Sequence, residues 1–280
     1  MTQKNTNSFD TSFFFQPRML VIVFSGLASC AASLFLLVMF ERLTALPPKQ
    51  PLSIPQHTAS VIADTANETP TDRWEEEIEE LEKRERDEPT PDGAILFLGS
   101  SNIRMWDTLA SDFPDHHVVN RGFGGALLSD VAHFADRLIG KARPSVVVVS
   151  AGGNDIHTGR SPEDVQKAFS ELVDALRNIL PEVRIVYLAT TATTARISEK
   201  PQQQRANELV AQTVAQGINM EFVDLIDVFL GPDGLPDPAM LLPDELHPSA
   251  AGNAKRAAIV RPLFQNASGL PAKVNSRQPD

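Results

Sequence analysis

The chain has 280 residues, 42% of them hydrophobic, with a formal net charge of −11 and a sequence pI near 5.0. That length can bury one sizeable core, and the acidic balance argues against nucleic acid as a partner, because phosphate binding needs clustered Lys and Arg. A single cysteine, Cys30, excludes an intrachain disulfide and a thiolate zinc cluster.

Residues 1–18 read as a short N-terminal tail, and Met19 to Phe40 follow as 22 residues without a charge. At 1.5 Å per residue such a run crosses a hydrocarbon core of roughly 30 Å, so a single transmembrane anchor is expected here. Lys4 and Arg18 precede it while Arg42 and Lys49 follow it, a slight lean towards a cytoplasmic tail and an extracytoplasmic body. A second reading of the same stretch takes Leu27-Ala28-Ser29-Cys30 as a bacterial lipobox that leaves a lipid on Cys30; either way the membrane is a partner. Residues 41–71, with Pro47, Pro48, Pro51 and Pro55, show no sustained periodicity and read as a Pro-rich linker.

Residues 72–90 are predicted to be a charged amphipathic helix. Trp74, Ile78 and Leu81 fall on one stripe, and Asp72 with Glu75 has the spacing of a capping box. Glu79 with Lys83, Glu80 with Arg84, and Glu82 with Arg86 are favourable i,i+4 pairs, so the helix is expected to lie solvated with one thin face docked.

A body spanning 91–268 then alternates strand and helix, before a short tail at 269–280. Ala94–Leu98, Val146–Ser150, Arg184–Ala189 and Phe222–Val228 are short, apolar and mostly β-branched, as strands buried on both faces should be. Helical patterns lie between and after them, at about Leu127–Ile139, Gln202–Gln216 and Ala250–Leu263. The clearest opens with Ser161-Pro162 and puts Val165, Phe169, Leu172, Leu176 and Ile179 on one face. This alternation predicts an α/β fold, a mainly parallel sheet between two helical layers, with ligands outside the carboxyl ends of its strands.

Chemistry-bearing residues cluster at those ends. Gly99-Ser100-Ser101-Asn102 follows the first strand, where either serine is placed to act as a nucleophile or to cap a helix. Asn120-Arg121-Gly122-Phe123-Gly124-Gly125 is glycine-dense after Val118-Val119, so a backbone N–H can approach a substrate oxygen. Ala151-Gly152-Gly153-Asn154-Asp155 follows the strongest strand, with Asn154 as a neutral donor. Asp244-Glu245-Leu246-His247 lies in the last loop, where one turn can bring a carboxylate to an imidazole that serves as a base.

Taken in order, these four blocks resemble the SGNH subgroup of the GDSL esterase and lipase family, over about Ile95 to Leu263. The resemblance implies a flavodoxin-like, three-layer α/β/α sandwich and a serine ester hydrolase acting on small-molecule or carbohydrate esters, with acetyl or other short acyl groups favoured by analogy. It implies Ser101 as the nucleophile and Asp244 and His247 as its triad partners. The oxyanion hole falls to the Ser101 and Gly125 amides and the Asn154 side chain. Ser100, Asn102, Gly124, Asp155 and His157 are candidate substrate contacts, and neither cofactor nor metal is implied. Where the family usually has Gly-Asp-Ser, this chain has Gly99-Ser100-Ser101, followed by Ile103-Arg104-Met105-Trp106, so the choice of serine rests on alignment. The choice among Gly122, Gly124 and Gly125 is open in the same way. A non-catalytic, membrane-tethered binding module on the same fold is the alternative reading; oligomeric state is not legible.

Overall fold

The computed structural model describes residues 72–264. The stretches read as tail, anchor with Cys30, and linker, residues 1–71, and residues 265–280 lie outside the described residues; among the described residues no helix is long and apolar enough to cross a membrane.

In chain order the described elements are α1 (Glu75–Asp87), β1 (Ile95–Gly99), α2 (Ser101–Arg104), α3 (Leu109–Asp112), β2 (Val118–Gly122), α4 (Leu128–His133), α5 (Ala135–Ile139) and β3 (Val146–Ser150). There follow α6 (Gly153–His157), α7 (Pro162–Ile179), β4 (Arg184–Leu188), α8 (Lys200–Gln216), β5 (Met220–Val223) and α9 (Ala250–Val260). The strands form one sheet in the order β2-β1-β3-β4-β5, and every pairing is parallel. Alternate residues of each strand feed opposite cores. Leu96, Leu98, Val147 and Val149 join the cluster built with α1, α4, α5, α7 and α8. Ile95, Phe97, Val146 and Val148 join a second one with Trp106, Phe113, Ala257, Val260 and Phe264. Two apolar clusters on opposite faces of one sheet make the three-layer architecture.

Several boundaries differ from the sequence reading for local reasons. The expected strand at Phe222–Val228 ends at Val223, because the next residue, Asp224, accepts the Ile226 N–H at 3.0 Å and turns the chain, while Leu225 and Val228 stay buried from the turn. Apolar content persists there without strand pairing. The pattern at Leu127–Ile139 is two helices joined at Phe134, and α9 gives way at Arg261 to a 3-10 turn that includes Pro262.

α1 departs most. It is entered through a 3-10 turn at Asp72–Trp74, and its N-cap is Trp74, which makes no side-chain cap bond, so the α-helix starts two residues later than a cap at position 72 would put it. Trp74, Ile78 and Leu81 are buried as expected. The polar face, however, is not simply solvated. Glu80 pairs with Arg84, but Lys83 turns to Asp87, and Glu82 turns away from Arg86 to Arg137 at 2.8 Å. Arg137 also meets Glu75, and Glu85 meets Arg121 from β2. Bonding to Glu82 outweighs desolvation and raises the Arg137 pKa above its ordinary value. Helix-local spacing named these charges, yet partners from other elements claimed them.

Candidate active site

The order β2-β1-β3 reverses the direction of chain growth at β1, so a crevice opens between the carboxyl ends of β1 and β3, where open α/β sheets take ligands. Gly99 closes β1 against β3 at φ +149, and a Cβ on it would sit 2.1 Å from the Ser150 carbonyl oxygen. No other residue fits, and this approach sends the chain straight from the strand into α2. Ser100 occupies the N-cap position, leaving Ser101 as the first residue of α2. Its N–H, an orphan of the first helical turn, makes no hydrogen bond among the described residues.

The histidine loop is held from both sides. Leu242 N–H donates to His247 O at 2.7 Å, and Ser249 caps α9 by accepting from Gly252 N–H. Asp244 Oδ1 accepts from the backbone N–H of Leu246 and of His247, each at 3.0 Å. Its Oδ2 lies 2.6 Å from His247 Nδ1, and His247 Nε2 lies 2.9 Å from Ser101 Oγ. A carboxylate on Nδ1 makes that nitrogen the donor and Nε2 the acceptor, which we assign on this bonding. An imidazole so held can draw a proton from the Ser101 hydroxyl.

Burial alone would raise the Asp244 carboxyl pKa, but the His247 ring and the two backbone donors outweigh it and hold the group down to about 2. Unfolded, the group titrates near 3.8, so its stabilisation is fully present above that value and is lost as pH falls through 2. An Asp244→Asn variant therefore trails the parent chain in thermal midpoint by a fixed margin at neutral pH, and the margin closes below about pH 4. A gap as wide at pH 2 as at neutral pH in melting scans contradicts this coupling.

The cleft around Ser101 and His247 is small, about 30 Å³, and Ser100, Asn102 and Asn154 share its wall. Asn154 is oriented by a bond from its Nδ2 to Ala126 O at 3.1 Å and by Arg196, which donates to its Oδ1 at 3.0 Å. Four other predicted residues are not on this wall. Gly124 donates its N–H to Glu77 Oε2 of α1 at 2.9 Å. Gly125, at φ +66, lies under the Trp74 ring, and its N–H makes no hydrogen bond among the described residues. Asp155 is fully buried and accepts the Leu128 N–H at 3.2 Å, with burial raising its pKa. His157 faces Glu199 at 2.7 Å, half exposed. Among the described residues no cluster of His, Cys, Asp or Glu is arranged to hold a metal ion.

The sequence matches the GDSL-like lipase/acylhydrolase family over residues 98–255, more than half of the chain. The chain belongs to this family. Solved structures agree in fold. A Streptococcus pneumonia protein named as a candidate platelet activating factor has a TM-score of 0.64 at 15% identity, covering 75% of this chain and 100% of that one. A GDSL-like lipase from Bacteroides thetaiotaomicron has a TM-score of 0.54 at 16% identity, covering 68% and 98%. A family 3 carbohydrate esterase from Clostridium thermocellum has a TM-score of 0.51 at 17% identity, covering 64% and 100%. No curated protein matches the chain significantly.

Within this hydrolase fold, sequence reading passed over the loop after β4. Thr190, Thr191, Thr193 and Arg196 reach the cleft from it, joined by Gln203 of α8. Asn207 of α8 fixes the loop's start, accepting from Thr190 N–H and donating to Thr190 O, both at 3.1 Å. The rule that put the serine loop at a strand's carboxyl end applies equally after β4, and it was the available signal.

Proposed function

We propose that this family member is a serine ester hydrolase. Ser101 is the nucleophile, His247 the general base and Asp244 the group that orients it. The observation that carries the reading is the continuous bond path from Asp244 Oδ2 through the imidazole to Ser101 Oγ, 2.6 Å and 2.9 Å long. Ser101 Oγ attacks the ester carbonyl carbon while its proton passes to His247 Nε2. The carbonyl oxygen takes the negative charge and is received by the Ser101 N–H and the Asn154 amide, the two of the three expected donors that line the cleft. The C–O bond to the alcohol then breaks, and His247 returns the proton to the departing oxygen. Water repeats the sequence on the acyl-serine and releases the acid.

A cleft of about 30 Å³ favours an acetyl or similarly short acyl group over a long chain. A carbohydrate alcohol is in keeping with the neighbour named as a carbohydrate esterase. The domain boundaries read from the sequence, the anchor at Met19–Phe40 and an extracytoplasmic body belong to the same proposal and rest on the sequence alone.

A fluorophosphonate probe tests the nucleophile. The full chain is expected to gain one adduct, mapped to Ser101 by mass spectrometry, and the His247→Ala chain to gain essentially none. On p-nitrophenyl esters from acetate to palmitate, kcat/KM is expected to fall by about tenfold or more once the acyl group outgrows the cleft. An adduct at another residue, or a maximum at palmitate, sinks the respective assignment.

A further inference from the structure

The cleft holds a guanidinium that the proposed ester chemistry does not require. Arg196 enters from the loop between β4 and α8, with Nη1 donating to Asn154 Oδ1 at 3.0 Å and to Gly153 O at 3.3 Å. A guanidinium carries five N–H donors, and Nε and Nη2 of Arg196 make no bonds among the described residues. Glu199, the carboxylate nearest in sequence, is turned away to His157 Nδ1 at 2.7 Å and Gln203 Nε2 at 3.4 Å. Arg196 forms no ion pair among the described residues, and desolvation, only partly opposed by the charge of Glu199, lowers its pKa. A half-buried cation without a carboxylate partner gains from an anion that arrives beside it.

Three further groups on the same wall, Asn102 Oδ1, Thr193 Oγ1 and Gln203 Oε1, lack partners among the described residues, and the last two lie beside Arg196 in the chain fold that follows β4. Thr193 Oγ1 and Gln203 Oε1 are buried, at 3% and 2% residue exposure, and neither makes a hydrogen bond among the described residues. Buried polar atoms are normally satisfied, so both await something that enters the cleft. Together the wall offers a charged fork, a hydroxyl donor and an amide acceptor beside the Ser101 hydroxyl.

Resting on the ester-hydrolase reading, we infer that Arg196, Thr193 and Gln203 form an oxyanion-accepting subsite, which selects esters whose non-reacting part carries a carboxylate or phosphate. The anion meets the free edge of Arg196 and the Thr193 hydroxyl, in the charge-assisted geometry that guanidinium groups favour. A neighbouring O–H or N–H of the substrate satisfies Gln203 Oε1. Arg196 also holds Asn154 in place, so its loss slows every ester, and the diagnostic quantity is the ratio between anionic and neutral substrates.

Four esters presented to the full chain separate the possibilities. Phenyl acetate is neutral, 4-acetoxybenzoate and 4-acetoxyphenyl phosphate place a carboxylate or a phosphate on the alcohol, and monophenyl succinate places a carboxylate on the acyl group. At least one anionic ester is expected to exceed phenyl acetate in kcat/KM by about tenfold, mainly through KM. Arg196→Ala is expected to bring that ratio to about one while lowering all rates, and Arg196→Lys to restore part of it. Equal kcat/KM for all four esters in the parent chain, or a preference that survives Arg196→Ala, overturns the subsite. Should no ester turn over at all, the hydrolase reading fails separately, and calorimetry decides the subsite. Succinate or inorganic phosphate binding to the parent chain and not to Arg196→Ala upholds it, and binding of neither overturns it.

Discussion

Replacing Ser101 with Ala is expected to lower kcat on an acetyl ester by about 10⁴-fold or more, and His247→Ala to do nearly the same. The two losses are not additive. Once the hydroxyl is gone the imidazole has no proton to take, and without the imidazole the hydroxyl is a weak nucleophile, so the double variant is expected to match the worse single one. Asn154→Ala leaves the path from Asp244 to Ser101 intact and removes one oxyanion donor, for a smaller loss of about 10² to 10³ in kcat. Steady-state rates on p-nitrophenyl acetate, with far-ultraviolet circular dichroism as the check on folding, measure all four variants. Ser100→Ala is the necessary comparison, because Ser100 shares the cleft wall but is not the serine whose hydroxyl meets His247. If Ser100→Ala is the inactive variant and Ser101→Ala turns over normally, the assignment of the two hydroxyls is reversed and the mechanism with it.

Those residues were legible because each belongs to a short block whose meaning is local. Val146–Ser150 reads as a strand because four consecutive valines suit a position buried on both faces, and it is one. Ser161-Pro162 reads as a helix start because the serine accepts from the Asp164 N–H and proline fits the first turn, and α7 begins there. Asp244 and His247 reach one another because three residues of loop suffice. What escaped depends on groups distant in the chain. Glu77 binds the Gly124 N–H, which lies 47 residues on, and no pattern within α1 announces it. Arg196 belongs to no local block, since only the folded sheet brings it to Asn154, 42 residues back. Periodicity reports which face of an element is covered; it carries no information about which charge on the other face has a distant partner.

The same distinction ties α1 to β2 and α5 through its charged face, and that face supplies the largest expected change in stability. Glu85→Ala is expected to destabilise the fold by about 3–5 kcal/mol, seen as a lower urea midpoint with little change in slope. Arg121 lies in β2 with its side chain 5% exposed, and Glu85 supplies its ion pair. Its remaining side-chain bond among the described residues is a donation to Thr90 Oγ1 at 3.2 Å, and Thr90 is itself held through its N–H and hydroxyl by Glu85. Desolvation already lowers the Arg121 pKa against the opposing charge of Glu85, so removing that carboxylate leaves a cation buried without compensation. Arg121→Met in the Glu85→Ala chain removes the stranded charge and is expected to recover most of the loss, because an apolar side chain of similar length suits a site this dry. A Glu85→Ala midpoint within error of the parent would mean that α1 docks through Trp74, Ile78 and Leu81 alone. The Gly122–Gly125 loop would then owe its position to that apolar stripe and to Glu77, and not to the clamp on β2.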